Sequence, residues 1–504
     1  MYISIYGQDQ VVRTMEVVSE TSSIWVSLTI VLIIAFWKYY HKKVSGGGGR
    51  RLKLPPGSFG LPLIGETMSF VKAHKESKIG EWVDDHVAKH GSSIFKTVLM
   101  GSKTVVITGQ AGNRFILSGS DNGIAANQPA SVRSVLGKHS IFELAGGRHK
   151  LVRGGMTRFL GPESIQRYVG QMDSLVNQQL SQELNGKISV KMVELMKKIT
   201  LRVTCSLLFG LDEDKEKDEL SMDFTTLLRG VWSFPINFPG TTCWKSMKAR
   251  RRIVNKLSKL AARRRIDLEE GRLNCEADVI SCLVSLRDEN GHPLLEEEIV
   301  DNLLSLMSAS HDTITVLLSL FIRHLAIDST AYNKVLKEQM EVAQAVEANN
   351  GEKLGMREIQ MMKYTWSVAQ ELMRLTPPVF GGFRTTWRDT SFGGYDIPKG
   401  WKVLWVASGT HMDENLFQDP KKFDSSRFEG SVKSVPPYTY VAFGAGMRFC
   451  PGADFARIEV LLVIHHLIKN YKWTQLIRDE PIIQDPLPYP AMGLPVKLCP
   501  INTL

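Results

Sequence analysis

Cys450 stands in Phe443-Gly444-Ala445-Gly446-Met447-Arg448-Phe449-Cys450-Pro451-Gly452, a glycine-rich loop that opens onto an apolar helical run from Ala453 to Lys472. A thiol placed there meets the partial positive charge of a helix N-terminus and a loop whose glycines let backbone N–H groups turn towards sulfur. Both favour thiolate over thiol. A thiolate on a turn open to a flat ligand suits haem iron, onto which it pushes electron density that favours O–O cleavage. For a cysteine taken alone, a buried structural role is the competing reading. A second constellation lies upstream. From Glu296 to about Ala326 apolar residues recur at helical spacing, with Leu303, Leu306, Ser310, Thr313, Leu317 and Leu320 on one stripe. Ser310 and Thr313 interrupt that stripe, and Asp312 stands beside them. An acid next to a hydroxyl can pass protons where water reaches them; the plainer reading is hydroxyls bonded to the carbonyl one turn back. Glu371 and Arg374, three apart, share one helix face. As an isolated surface pair they would contribute little.

The loop pattern F-x-x-G-x-R-x-C-x-G resembles the haem-binding signature of the cytochrome P-450 family of haem-thiolate monooxygenases, with Phe443, Gly446, Arg448, Cys450 and Gly452 at all five fixed positions. The resemblance extends further. Ala309-Ser310-His311-Asp312-Thr313 is similar to the family's oxygen-binding stretch (A/G)-G-x-(D/E)-T, which implies proton delivery by Asp312 and Thr313; Ser310 replaces the usual Gly, where it would crowd the oxygen pocket or add a hydrogen bond to it. Glu371-x-x-Arg374, with Phe423-Asp424-Ser425-Ser426-Arg427-Phe428, resembles the E-x-x-R and F-x-P-x-R-F elements, Ser425 replacing Pro. This implies a buried charge triad of Glu371, Arg374 and Arg427. The cofactor implied is haem b, with Cys450 as iron ligand, Phe443 in its loop, and Arg448, Arg384 and Arg153 as partners of the propionates. His149 is a weaker candidate, since Arg148-His149-Lys150-Leu151-Val152-Arg153 resembles the W-x-x-x-R helix with His at the Trp position.

The implied fold is mainly α with minor β: a large helical domain plus a small β-rich region around buried haem. Strand-like runs at Lys103 to Thr108 and Lys402 to Val406 agree with that. Segments such as Trp232 to Gly240, Lys363-Tyr364-Thr365-Trp366 and Ile397 to Trp401 resemble the plant clan of triterpenoid, diterpenoid, brassinosteroid and abscisic acid oxidases, most of all its triterpenoid oxidases and their diterpenoid-oxidising relatives. The expected reaction is oxidation of an apolar terpenoid with O2 and NADPH-derived electrons, extending by successive rounds from a methyl to a carboxylic acid. NADPH-cytochrome P-450 reductase is the implied partner. Pocket walls by resemblance are Ala125 to Leu136, Leu303 to Ala309, Val379 to Phe383 and Pro490 to Gly493. The alternatives are a haem-thiolate isomerase or dehydratase acting on a peroxide, a sterol or hormone oxidase, and a non-catalytic haem carrier.

Over 504 residues, Lys+Arg 62 against Asp+Glu 52 gives a formal charge of +10. That balance suits anionic lipid or an acidic partner; no dense basic run with interleaved aromatics points to nucleic acid. Six scattered cysteines lack C-x-x-C spacing, which argues against zinc and a disulfide framework and for a reducing compartment. Residues 22–40 form an apolar stretch close to the ~20 residues of a membrane span, flanked by Trp25, Trp37, Tyr39 and Tyr40. Lys38, Lys42, Lys43, Arg50, Arg51 and Lys53 follow it, which puts the C-terminal side in the cytosol. The expected organisation is an extension at 1–21, the anchor at 22–40, a basic Gly/Pro hinge at 41–62 and a catalytic domain at 63–504 on the endoplasmic reticulum. The segment Val231 to Trp244 with Lys245, Lys248, Arg250, Arg251 and Arg252 reads as a loop dipping into lipid with basic headgroup anchors.

Overall fold

The structure, a computed structural model, describes residues 52–501 apart from 62–63, 120–121, 212, 231–235, 349–352, 431–434 and 485–486. The expected anchor at 22–40, the extension before it and Trp232 to Pro235 of the lipid-facing loop lie outside the described residues.

The central helix runs from Glu296 to Ile327, as the apolar periodicity predicts. It begins after Leu295, where the Glu298 carboxylate accepts the Leu295 N–H at 2.8 Å, and three acids in its first turn suit the positive helix end. The single-stripe reading understates its burial: Val300, Leu304, Val316 and Leu318 are as buried as Leu303 and Leu317, because helices pack on it from all sides. Among the described residues it is the one helix long and apolar enough to cross a membrane, and its burial inside the protein identifies it as a core helix. The helix after the cysteine loop spans Ala453–Asn470. It stops short of Lys472 because Tyr471–Gln475 pairs as a strand with Pro495–Pro500. Around these two helices pack Pro162–Leu184, Met192–Val203, Ser329–Ala348 and Lys363–Leu375, sharing one continuous apolar core.

A five-stranded sheet flanks the helices, in the order Ile94–Leu99, Ser102–Ile107, Lys402–Val406, Gly381–Thr386, Ile124–Ala126. Both strand-like runs seen in the sequence lie here as parallel neighbours, Val105 opposite Val403 and Ile107 opposite Trp405. Gly381–Thr386 pairs antiparallel with Lys402–Val406 and carries Arg384 opposite Val403. The proline segment docks on this sheet, where the Pro56 carbonyl accepts the Lys96 N–H at 2.8 Å, and just before it the Lys53 carbonyl accepts the Asp396 N–H at 2.8 Å from the separate two-stranded hairpin of Thr390–Phe392 and Tyr395–Ile397. The folded body therefore reaches back to Lys53, before the boundary at residue 63.

Candidate functional site

Three backbone bonds coil the cysteine loop on itself: Gly444 N–H to Val441 O at 2.8 Å, Phe449 N–H to Gly446 O at 3.0 Å and Cys450 N–H to Phe443 O at 2.9 Å. The last returns Cys450 to the side of Phe443. Gly446 is required where the loop crosses the end of another helix; its φ is +64°, and a Cβ would lie 2.1 Å from the Leu117 carbonyl oxygen. The local reading that loop and helix terminus lower the Cys450 thiol needs correction. The Gly452 N–H and the charge of Arg153 do act in that direction, but burial pushes the thiol up and outweighs them. A metal ion reverses the balance, since a coordinating thiol is deprotonated outright.

Four nitrogen-bearing side chains from three elements converge at the loop. Arg153 and His149 come from the helix Gly146–Leu160, Arg384 from the strand Gly381–Thr386, and Arg448 from the turn Gly446–Arg448. Burial, then the neighbouring Arg448 charge, pushes Arg384 down to about 10. Burial and Arg153 lower Arg448, and burial lowers Arg153. Burial, followed by Arg448 and Arg153, takes His149 down to about 4, so it is neutral at pH 7. The guanidinium acceptors are carbonyls: Arg448 donates to Ile141 O at 3.2 Å and Leu144 O at 2.5 Å, and Arg384 to Phe383 O at 2.9 Å. Among the described residues none of the three arginines has a carboxylate within ion-pair distance, and only Glu143 acts on Arg448 with opposite sign. Buried charges need partners. A cluster of cations mutually repelling beside a thiol fits a ligand with two carboxylates, and the residues present fit haem.

Behind the loop, Arg374 donates Nε–H to Glu371 Oε2 and Nη2–H to Glu371 Oε1, both at 2.7 Å, with both side chains fully buried. Glu371 Oε1 also accepts the Asp424 N–H at 3.0 Å and lies 3.4 Å from Arg427 Nε. The three residues of the expected triad thus meet. His411, which no spacing in the sequence marks, ties them to the loop: Arg374 Nη1 donates to the His411 carbonyl at 2.6 Å, His411 Nδ1 bonds the Arg374 carbonyl at 3.1 Å, and Val441 N–H donates to His411 Nε2 at 2.9 Å. Burial pushes its imidazole down to about 3. A neutral ring that accepts at Nε2 must donate at Nδ1, so one tautomer is fixed.

On the central helix, Thr313 Oγ1 donates to the Ala309 carbonyl at 2.6 Å, and the half-buried Asp312 accepts from Tyr489. Ser310 is occupied elsewhere. Its Oγ donates to the Leu306 carbonyl at 2.9 Å and accepts from Thr204 Oγ1 at 3.0 Å, on the π-helical turn Thr204–Leu208. His311 is buried, its Nδ1 3.2 Å from Thr200 Oγ1. The hydroxymethyl group therefore serves a helix–helix contact. Ser310→Gly is expected to lower stability by ~1–2 kcal/mol, from helix-interior glycine and one lost hydrogen bond, without changing product formed per NADPH. Urea unfolding with a coupling assay checks this; altered coupling at unchanged stability would place the hydroxyl in the oxygen pocket.

The sequence profile of the family "Cytochrome P450" matches residues 55–498. The chain belongs to the cytochrome P450 family. It is a haem-dependent P450 monooxygenase with the P450 fold, and it is similar to plant enzymes over nearly its whole length. A beta-amyrin 28-monooxygenase of Medicago truncatula is 37% identical over 473 residues, covering 94% of this chain and 97% of that one. A taxane 10-beta-hydroxylase of Taxus cuspidata is 36% identical over 475 residues, covering 94% and 93%. Among solved structures, a retinoic acid-bound cyanobacterial CYP120A1 matches with TM-score 0.78 and 32% identity, covering 89% of this chain and all of that one.

In this P450 the basic residues expected to grip lipid headgroups are partly committed to the protein. Arg250 pairs with Asp301 at 2.6 Å and donates to the Val135 carbonyl, and Arg252 pairs with Asp223 at 2.5 Å. Lys248 lies over the Trp244 ring. Ile236 and Phe238 stay exposed on the same segment.

Proposed function

We propose that this P450 hydroxylates an apolar diterpenoid or triterpenoid, with further rounds at the same carbon carrying a methyl group to an acid. The observation that carries this reading is similarity, across 94% of the chain, to enzymes whose names specify beta-amyrin and taxane oxidation. Support comes also from the few charges on the walls Leu303 to Ala309 and Val379 to Phe383. Electrons come from NADPH through a diflavin reductase, and residues 22–40 anchor the enzyme to the endoplasmic reticulum with its body in the cytosol.

When bound, haem supplies dioxygen activation and insertion of one oxygen atom into a C–H bond, the other atom leaving as water with two electrons from NADPH. Cys450 would ligate the iron. Arg384, Arg448 and Arg153 would pair with the propionates, and neutral His149 would donate a hydrogen bond rather than a charge. Phe443 closes the loop over the sulfur by its carbonyl bond to Cys450. Asp312 and Thr313 deliver protons to the pocket, and Ser310 holds the helix against Thr204.

The test is NADPH-dependent oxidation by microsomes carrying the enzyme, with reductase present and omitted, on a panel of di- and triterpene skeletons that includes beta-amyrin and a taxane. Product that requires both NADPH and reductase is expected. Turnover of a hydroperoxide without either, and none of the panel, would favour an isomerase.

A further inference from the structure

Asp312 is held by a residue far away in the chain. The Tyr489 hydroxyl donates to both the Asp312 carboxylate Oδ1 and the Asp312 backbone carbonyl, each at 3.1 Å. Among the described residues this is the one side-chain donor within hydrogen-bond distance of that carboxylate. Burial and the Asp312 charge both push the phenol up, so it stays protonated and remains a donor. On its far side the Lys197 ammonium lies 4.6 Å from the ring centroid, a cation over the aromatic face.

The placement of Tyr489 links three elements. It sits in the hairpin that pairs Ile482–Gln484 with Pro488–Pro490, opposite Ile483. The chain then turns through 491–494, where the buried Glu480 carboxylate accepts the N–H groups of Met492 and Leu494. The carbonyls of Gly493 and Leu494 accept from Val193 at 3.1 Å and Met192 at 3.0 Å, at the start of the helix that carries Lys197. Pro490 to Gly493 is a pocket wall by resemblance. One phenol therefore connects that wall to the acid of the acid–alcohol pair.

We propose that Tyr489 is a positioning residue for Asp312, holding its carboxylate in the orientation from which protons reach Thr313 and making proton delivery depend on the hairpin that borders the substrate. The inference rests on the relay role proposed for Asp312. An aromatic hydroxyl on a short strand suits the task, since a rigid ring has few rotamers and reaches across the gap between hairpin and helix without water. A half-buried carboxylate that loses its donor reorients towards other partners or solvent.

Tyr489→Phe removes the hydroxyl alone. In full-length enzyme with reductase and beta-amyrin, or the panel skeleton turned over if beta-amyrin is not, product per NADPH is expected to fall about three- to tenfold, less than the ~10²–10⁴-fold contribution of a general acid itself. Hydrogen peroxide should rise to match, with substrate affinity and the carbon monoxide spectrum unchanged. Asp312→Asn is expected to uncouple at least as strongly, and the double variant no further. Should Asp312→Asn uncouple while Tyr489→Phe keeps wild-type coupling, the positioning role is overturned and the relay stands. Should Asp312→Asn leave coupling intact, the relay reading fails and takes this inference with it. A Tyr489→Phe enzyme with altered substrate affinity but intact coupling would show a wall residue only and also overturn the proposal. If Tyr489→Phe lacks the carbon monoxide band, Tyr489→His replaces it: retained coupling with a ring N–H donor supports the role, and lost coupling in a spectrally normal protein refutes it.

Discussion

Glu371→Ala is expected to yield protein that accumulates without haem. Arg374 is fully buried, and two of its N–H groups bond Glu371 at 2.7 Å; alanine leaves that guanidinium charged and unpaired in the interior. Breaking a buried pair by removing one partner costs about 3–5 kcal/mol, a large share of a domain's stability. The damage would spread in two directions. Asp424 loses the acceptor of its N–H, freeing the segment that holds Arg427, and Arg374 no longer has a fixed position from which to bond the His411 carbonyl. His411 is what holds Val441 at the start of the cysteine loop. Loss of the pair thus reaches Val441, where the cysteine loop begins, through two hydrogen bonds. Haem per polypeptide in purified protein checks this; Glu371→Gln, which keeps an acceptor but no charge, should fall between wild type and alanine. Full haem content in Glu371→Ala would show that the triad does not support the loop.

Thr313→Ala should uncouple electron use from product formation by at least about tenfold, with the peroxide yield rising to match, because a proton donor at a reacting site contributes ~10²–10⁴-fold. Haem content should be normal, since among the described residues the Thr313 hydroxyl bonds only the Ala309 carbonyl one turn back, and its loss strands no buried group among them. Thr313→Ser keeps the hydroxyl and should keep coupling. Unchanged product per NADPH in Thr313→Ala would leave the plainer reading, a hydroxyl satisfied within its own helix.

What the sequence makes legible is what is local. The cysteine loop is a ten-residue pattern whose glycines and turn bonds are neighbours in the chain. The central helix announces itself by period, and Glu371 and Arg374 by sharing a face. What stays hidden depends on elements that meet only in the fold. Burial around Cys450 reverses the direction that the loop alone gives its thiol. The partner of Ser310 is Thr204, on a π-helical turn with no sequence signature. A single histidine, His411, carries no spacing signal, and Tyr489 adjoins a segment read as a pocket wall while its contact with Asp312 spans 177 positions. Arg250 and Arg252 show the same limit, since a basic run next to aromatic residues looks identical whether its partners are headgroups or Asp301 and Asp223.

The most direct test of thiolate ligation by Cys450 is the absorption spectrum of the purified, reduced protein under carbon monoxide. A cysteine thiolate opposite the gas gives a red-shifted Soret band, and that band is expected in the wild type and absent in Cys450→Ala. A wild-type spectrum without the shift would contradict the assignment, and the pocket, relay and substrate readings built on it would fall together.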